Sequence, residues 1–559
     1  MIFAEHNQMI SFKLKNMKVL EYVNEIHNFV LQKPDVVMIV DKGGTRRTTY
    51  SEFWKVVCKM ACAIRKVKDS SSGCRFIPIY LPDSMEYFAA EYAIWMTGNA
   101  AVHMGVAFPK ERVEYILQHC EAEFVIDAQF VEAALAVEKI GEVEMSSRED
   151  DQHCVMFYTS GSTGNPKGVL HSDKGLISAL DRIARGCDLT PYKSFSSTTS
   201  CYFISVTTAL SLIRLGYEIH LLSSEVKLNV NLLADYILEN KIEFAHISPS
   251  LLRIFNNKSK YLKLVRATGE RLVGCYSEEY AVLNGYGQTE TAGPCLFKII
   301  DKNYDNTPVG VPASGVEFVL LDDNGNEVPD GEVGELCIKS GIVPPVYYKD
   351  PDRTAQLMRY GVQHTSDLMK RLPDGDYLYI QRNDWMVKIN GQRVEPGEVE
   401  CVLRSSPGVR DAIVKGFTTE DLTRQYLVGY YLADDAAELG QGYLSAELTK
   451  KVPAYMVPQF FVKMDKFPLN VNNKIDRKSL LPPDVAAYKS DYAAPETDLQ
   501  KVLCEAFAKV LKIDKVGLDD DFFLLGGDSI RVMMLQRHLV DMKNIPTIVN
   551  AGRKPRQIA

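Results

Sequence analysis

Three short apolar runs, VVMIV at 36–40, FIPIY at 76–80 and EFVID at 123–127, are each closed by charged or turn-forming residues. Between them lie longer stretches such as YSEFWKVVCKMACAIRKV, whose apolar side chains return at helical intervals. Runs of about four to eight apolar residues suit buried strands, whereas a period near 3.6 held over a dozen residues suits helices. Their alternation points to a large α/β core.

The texture changes from residue 316. VEFVLLDDNGNEVPDGEVGELCIKS carries two turn signals, Asp323-Asn324-Gly325 and Pro329-Asp330-Gly331, and RLPDGDYLYIQR at 371–382 reads as a further hairpin. Beyond Asp384 strand and helix signals mix as far as Leu481-Pro482-Pro483, and SDYAAPETD at 490–498 reads as an exposed tether. In the following LQKVLCEAFAKVLKI, Leu499, Val502, Leu503, Ala506, Phe507, Val510 and Leu511 form a helical apolar stripe. At 559 residues the chain exceeds one domain of roughly 100 to 200 residues. The expected division is an N-terminal core over 1–383, a small mobile α+β unit over 384–483, a linker over 484–495 and a small all-helical domain over 496–559.

Composition excludes several function classes. The 64 basic and 72 acidic side chains give a net charge of -8, and no cationic block is available to neutralise a nucleic-acid backbone. Twelve cysteines in a chain this long are no disulfide framework, and Cys58 and Cys62 read as small buried apolar residues on one helix face rather than zinc ligands. The opening MIFAEHNQMISFKLKN lacks an apolar signal core, and no run approaches the roughly 18 to 20 apolar residues that cross a bilayer. The expectation is a cytoplasmic protein that engages neither membrane nor nucleic acid.

The most informative run is YTSGSTGNPKGV at 158–169, which continues the apolar VMF. Gly161, Gly164 and Gly168 permit backbone geometry closed to larger residues, Ser160, Ser162 and Thr163 supply hydroxyls, and Lys167 adds a cation. With exposed backbone N–H groups, such a loop can cradle a polyphosphate. It is not the P-loop signature, because Lys167 lies between Pro166 and Gly168 where that motif requires glycine and then serine or threonine.

That loop resembles the phosphate loop of the adenylate-forming superfamily, specifically the adenylation domains of nonribosomal peptide synthetases. Further blocks agree in order: NGYGQTE at 284–290, HTSD at 364–367, RNDWMVKINGQRVEPGEVE at 382–400, PAYMVPQF from 453 and PLNVNNKIDRKSL up to 480. FFLLGGDSI at 522–530 is similar to a peptidyl carrier site, so the resemblance covers essentially the whole chain. It implies ATP-dependent activation of a carboxylic acid as an acyl-adenylate, with release of pyrophosphate and transfer to a carrier thiol. Phosphates would be held by Thr159, Ser160, Gly161, Ser162, Thr163, Gly164 and Lys167, and Mg2+ by Glu290. Tyr286, flanked by Gly285 and Gly287, would stack on adenine; Thr289 would meet the α-phosphate, Asp367 the ribose hydroxyls and Arg382 the ribose or phosphate. Lys474 would stabilise the charge developing between carboxylate and α-phosphorus, Asp384 would be the hinge, and the loop at Gly391 would meet the incoming thiol. Ser529 would carry 4'-phosphopantetheine, installed by a phosphopantetheinyl transferase.

In amino-acid-activating relatives a Phe-Asp pair opens the acid pocket and the aspartate holds the α-ammonium group. Spacing puts that pair on Tyr202 and Phe203, and leaving an ammonium buried without a counter-charge is costly. The expected substrate therefore lacks a conventional α-amino group. Ile204, Thr207, His246, Arg266, Thr268, Gly285, Gly293 and Pro294 complete the pocket; His246 as a satisfied core histidine and Arg266 turned toward water are equally open readings. Gln381, Ser366 and Asn473 stand where the family favours glycine. The competing readings are a standard amino-acid-activating module, an acyl-coenzyme A ligase, against which the carrier-like segment argues, and a silent carrier-interacting scaffold. Neighbouring synthetase domains or a separate acceptor enzyme are the expected partners.

Overall fold

The structure, a computed structural model, describes residues 18–67, 75–138, 143–149, 151–161, 164–186, 191–419, 423–433, 439–468, 475–483, 492–523, 525–527, 531–532, 534–535, 538–539 and 554–558. The apolar clusters fall into three sets, within 19–379, 387–480 and 499–558, and no described cluster mixes residues of two sets.

The first set is a mixed α/β body built on three sheets, the two larger ones packing its helices. Nine strands lie in the spatial order Val311–Pro312, Gly293–Ile300, Ala281–Gln288, Leu264–Thr268, Phe244–His246, Ser194–Ser197, Glu218–Leu221, Val37–Asp41 and Arg46–Thr49. Five more run Val346–Tyr347, Lys167–Ser172, His153–Thr159, Ala100–His103 and Phe76–Ile79. The helix Met85–Met96 contacts strands of both sheets, and every residue in it except Glu86 is buried. A helix apolar all round has no solvent face, so it belongs between layers. The helix expected from YSEFWKVVCKMACAIRKV spans Tyr50–Val67 and buries Tyr50, Phe53, Val57, Met60, Ala61 and Ile64. Cys58 and Cys62 on that helix are only half-buried, and all ten described cysteines are free thiols.

One expected strand is corrected. EFVID forms only the single bridge Ile79↔Ile126. Asp127 already accepts a hydrogen bond from Phe130 N at 2.9 Å as the N-cap of the helix Ala128–Leu135, so the chain turns away after one pair.

From residue 317 the expected hairpins form a four-stranded antiparallel sheet, Glu317–Leu321, Val333–Ser340, Gln363–Arg371 and Tyr377–Arg382. A small α+β unit follows. Its three-stranded sheet, Val409–Thr418, Gln425–Ala433 and Phe460–Lys463, packs the helices Pro396–Arg404 and Gln441–Thr449, and the hairpin Val387–Ile389/Gln392–Val394 precedes it. The last region opens with the helix Asp498–Leu511. Thr497 and Gln500 cap it reciprocally, and its stripe packs on Phe522 and Leu525. Among the described residues no helix is long and apolar enough to cross a membrane.

Candidate active site

The strands His153–Thr159 and Lys167–Ser172 pair antiparallel with Thr159 opposite Lys167, so the loop between them ends with the lysine beside its own start. Gly164 adopts φ +95°, and a Cβ at Gly161 would collide with the Asn165 carbonyl. The loop's donors already meet carboxylates and backbone of the small unit. Gly161 N–H donates to Glu398 Oε2 at 3.0 Å, while the Ser160 hydroxyl donates to Arg393 O at 3.0 Å and accepts from Glu395 N at 3.0 Å. Glu398 is also paired with Arg112, and both side chains are buried. The Thr159 hydroxyl is buried and makes no hydrogen bond to a described residue. The Gly161 amide thus already meets one carboxylate oxygen.

Lys167 Nζ stands 4.0 Å from Glu290, 3.8 Å from Glu395 and 4.7 Å above the Tyr347 ring. Burial, and after it the Arg393 guanidinium, pulls this ammonium down to about 7 against Glu290 and Glu395. Glu290 Oε1 accepts from Arg393 Nη1 at 2.7 Å and from the Tyr347 hydroxyl at 2.7 Å. Burial raises the Glu290 carboxyl, but Arg393, Lys167 and Tyr347 outweigh it and hold it well below the usual carboxylate range. Its Oε2 is buried without a hydrogen-bond partner among the described residues, which leaves one hard, ionised oxygen of the kind Mg2+ takes from a protein.

Tyr286, Asp367, Arg382 and Asp384 form one network. Asp367 Oδ2 accepts from the Tyr286 hydroxyl and from Gln288 Nε2 at 2.6 Å, and its Oδ1 from Arg382 Nη1 at 2.9 Å. Arg382 in turn holds both Asp384 oxygens, at 2.6 and 2.5 Å. Ser366, beside Asp367, sits at φ +59°, which explains the glycine preference at that position. Thr289 opens a short 3-10 turn, and its carbonyl accepts from His171 Nε2 at 2.8 Å.

A cavity of about 500 Å3 runs from Gly285, Tyr286 and Arg382 past Glu270 and Lys388 to Arg424. Asn390 and Gly391 make the hairpin turn at its side, both with positive φ, +50° and +77°. At the far end Arg424 Nη1 donates to Gly526 O at 3.2 Å, and Gln459 Nε2 donates to the carbonyls of Phe523 and Gly527, both at 3.1 Å.

The acid-pocket candidates gather where the strand Leu264–Thr268 meets the helix Val206–Ile213. Arg266 is fully buried rather than turned to water, with Nη2 donating to Thr208 Oγ1 at 2.5 Å. His246 lies 3.2 Å from Ser197 Oγ and 2.8 Å from Thr268 Oγ1, and burial followed by Arg266 takes it well below its ordinary value. It is a satisfied neutral histidine. A Cβ at Gly285 would crowd Thr268, and one at Gly293 would crowd Thr207 and Ile183. The Thr207 hydroxyl donates to Ile204 O at 2.7 Å, Pro294 O accepts from Arg182 Nε at 3.1 Å, and the Tyr202 and Phe203 rings lie 4.3 Å apart.

Ser162, Thr163, Lys474 and Ser529 lie outside the described residues. Three residues past Lys474, Arg477 grips both Glu400 oxygens and lies 5.9 Å from the centre of the Trp385 ring. Sequence reasoning missed Glu270, Arg393, Glu395 and Glu398, although the last three lie inside a block it singled out, and Arg112, which meets Glu398 from 286 positions away.

A mixed α/β body whose glycine-rich loop meets a small α+β unit, followed by a helical region, is the architecture of an ATP-dependent adenylate-forming ligase with an appended carrier region. The chain belongs to the AMP-binding enzyme family, which matches residues 26–348. The AMP-binding enzyme C-terminal domain matches 398–474 and the phosphopantetheine attachment site 501–542. Tyrocidine synthase 3 of Brevibacillus parabrevis is 30% identical over 88% of this chain and 8% of its own length, and tyrocidine synthase 1 of the same organism 29% over 92% and 51%. The chain thus spans between 8% and 51% of these relatives' lengths. Among solved structures, holo-PA1221, an NRPS protein containing adenylation and PCP domains bound to a vinylsulfonamide inhibitor, matches with TM-score 0.77 at 19% identity, covering 98% of this chain and 96% of that one.

Proposed function

We propose that this chain activates a carboxylic acid lacking a conventional α-amino group and passes the acyl group to 4'-phosphopantetheine on Ser529. The observation that carries the finer half is that the pocket candidates include no acidic residue and open on Phe203. An α-ammonium group would enter that set without a counter-charge, whereas an acid that lacks one brings no cation that needs a partner.

In the adenylation step a carboxylate oxygen attacks the α-phosphorus and pyrophosphate leaves, so the protein's task is to position the reactants and neutralise charge. The 159–164 loop and Lys167 hold the phosphates, Tyr286 stacks on adenine, Asp367 and Arg382 receive the ribose, and Thr289 meets the α-phosphate. Glu290 Oε2 would hold Mg2+, which offsets polyphosphate charge when bound. Lys474 bridges the acid and the α-phosphate. Glu398 and the phosphates cannot both take the Gly161 amide, so adenylation requires the small unit to swing about Asp384. The arrangement with Gly391 beside the cavity and the carrier at its Arg424 end suits transfer, in which the prosthetic arm supplies a thiol acceptor.

ATP–pyrophosphate exchange with matched amino, keto, hydroxy and unsubstituted acids tests the substrate reading; preference for ordinary L-amino acids overturns it. Intact mass after coenzyme A and a phosphopantetheinyl transferase tests Ser529. A preparation that forms no adenylate from any acid would favour the silent scaffold. The longer lengths of the relatives support neighbouring synthetase domains as partners.

A further inference from the structure

Glu270 has no assigned task, and its surroundings give it one. It follows the strand Leu264–Thr268 and lines the cavity together with Tyr286, Lys388 and Asn390. Oε2 is fully engaged by Ser250, accepting from its N–H at 3.1 Å and from its hydroxyl. Oε1 is closed off from solvent and makes no hydrogen bond to a described residue, and it faces the Asn390-Gly391 turn closely enough that a Cβ on Gly391 would stand 3.7 Å from it. A purely structural carboxylate would use both oxygens, because leaving a buried acceptor idle is costly. Burial raises this carboxyl above its ordinary value against the pull of Ser250, Arg253 and Lys388, which makes it a stronger base than an exposed glutamate.

Resting on the transfer reading above, we propose that Glu270 is the proton acceptor of the thiol-transfer step. Glu270 Oε1 takes the proton from the S–H group as sulfur bonds to the acyl carbon; the bond from that carbon to the phosphate oxygen breaks, and its electron pair leaves with AMP. Glu270 then returns the proton to water through the cavity. The charged or titratable groups facing it are Arg253 at the end of the Pro249–Leu252 turn, Lys388 on the hairpin and the Cys275 thiol.

The test compares wild type with Glu270→Gln and Glu270→Asp. Three readouts are used: pyrophosphate exchange by the unmodified chain, its melting temperature, and single-turnover loading of the phosphopantetheinylated chain between pH 6.5 and 8.5. A proton acceptor is worth roughly 100-fold. Glu270→Gln is expected to slow loading at pH 7 at least tenfold more than exchange, and Glu270→Asp to recover part of the loss. The Gln defect should shrink steadily toward pH 8.5, where the thiol ionises unaided at a pKa of about 8.5. Loading at the wild-type rate, a loss that ignores pH, or an equal loss of exchange each overturns the proposal, the last by assigning Glu270 to the nucleotide. Absence of exchange in wild type would instead sink the adenylation reading itself.

Discussion

At the scale of single residues, charge and burial decide outcomes that backbone pattern does not. Lys474→Ala should lower pyrophosphate exchange by roughly 100- to 1,000-fold, while transfer from supplied adenylate survives; normal exchange with only loading lost would contradict its role. His171 offers a stability test. Its Nε2 donates to Thr289 O while Nδ1 is buried without a partner, and burial lowers the ring from 6.5 to about 4. The unfolded chain therefore takes up this proton first, so stability is lost as pH falls from about 6.5 toward 4, by up to about 3 kcal/mol. Urea midpoints at pH 7 and 5 should diverge in wild type and converge in His171→Gln. Ser366 at φ +59° carries strain that glycine relieves, less glycine's greater unfolded freedom. Ser366→Gly should raise stability by up to about 1 kcal/mol.

At the scale of elements, the Asn390-Gly391 hairpin is the most exposed to a one-atom change. Both residues lie at positive φ, as a two-residue turn of right-twisted strands requires, and an alanine in that region costs about 1–2 kcal/mol. Gly391→Ala should lower loading more than exchange, since the turn borders the cavity beside Glu270. The helix Tyr50–Val67 was legible residue by residue because its apolar period is uninterrupted. EFVID was misleading because composition fixes strand propensity but not whether a neighbour's edge continues long enough to pair.

At the scale of the whole molecule, the relation between the large body and the α+β unit is set by a few buried charges. Arg112 and Glu398 meet across that junction, and Arg393 reaches Glu290. Removing one partner of a buried pair costs about 3–5 kcal/mol while the junction holds, but swinging the small unit away rehydrates Arg112. Glu398→Gln should therefore shift the population away from this arrangement, tightening ATP binding severalfold by calorimetry while slowing loading. Unchanged affinity would mean that Glu398 does not compete for the phosphate loop.

The sequence by itself determined the α/β body, the hairpin sheet, the opening helix of the carrier region and the glycine-rich turn between residues 159 and 167, because each depends on residues close together in the chain. Tertiary structure decided that Arg266 is buried, that His246 is satisfied, and that Glu270 keeps one idle oxygen beside Gly391. It also brought Arg112 to Glu398. These outcomes depend on which distant surfaces meet, and burial and electrostatic pairing are properties of that meeting rather than of any local run of residues.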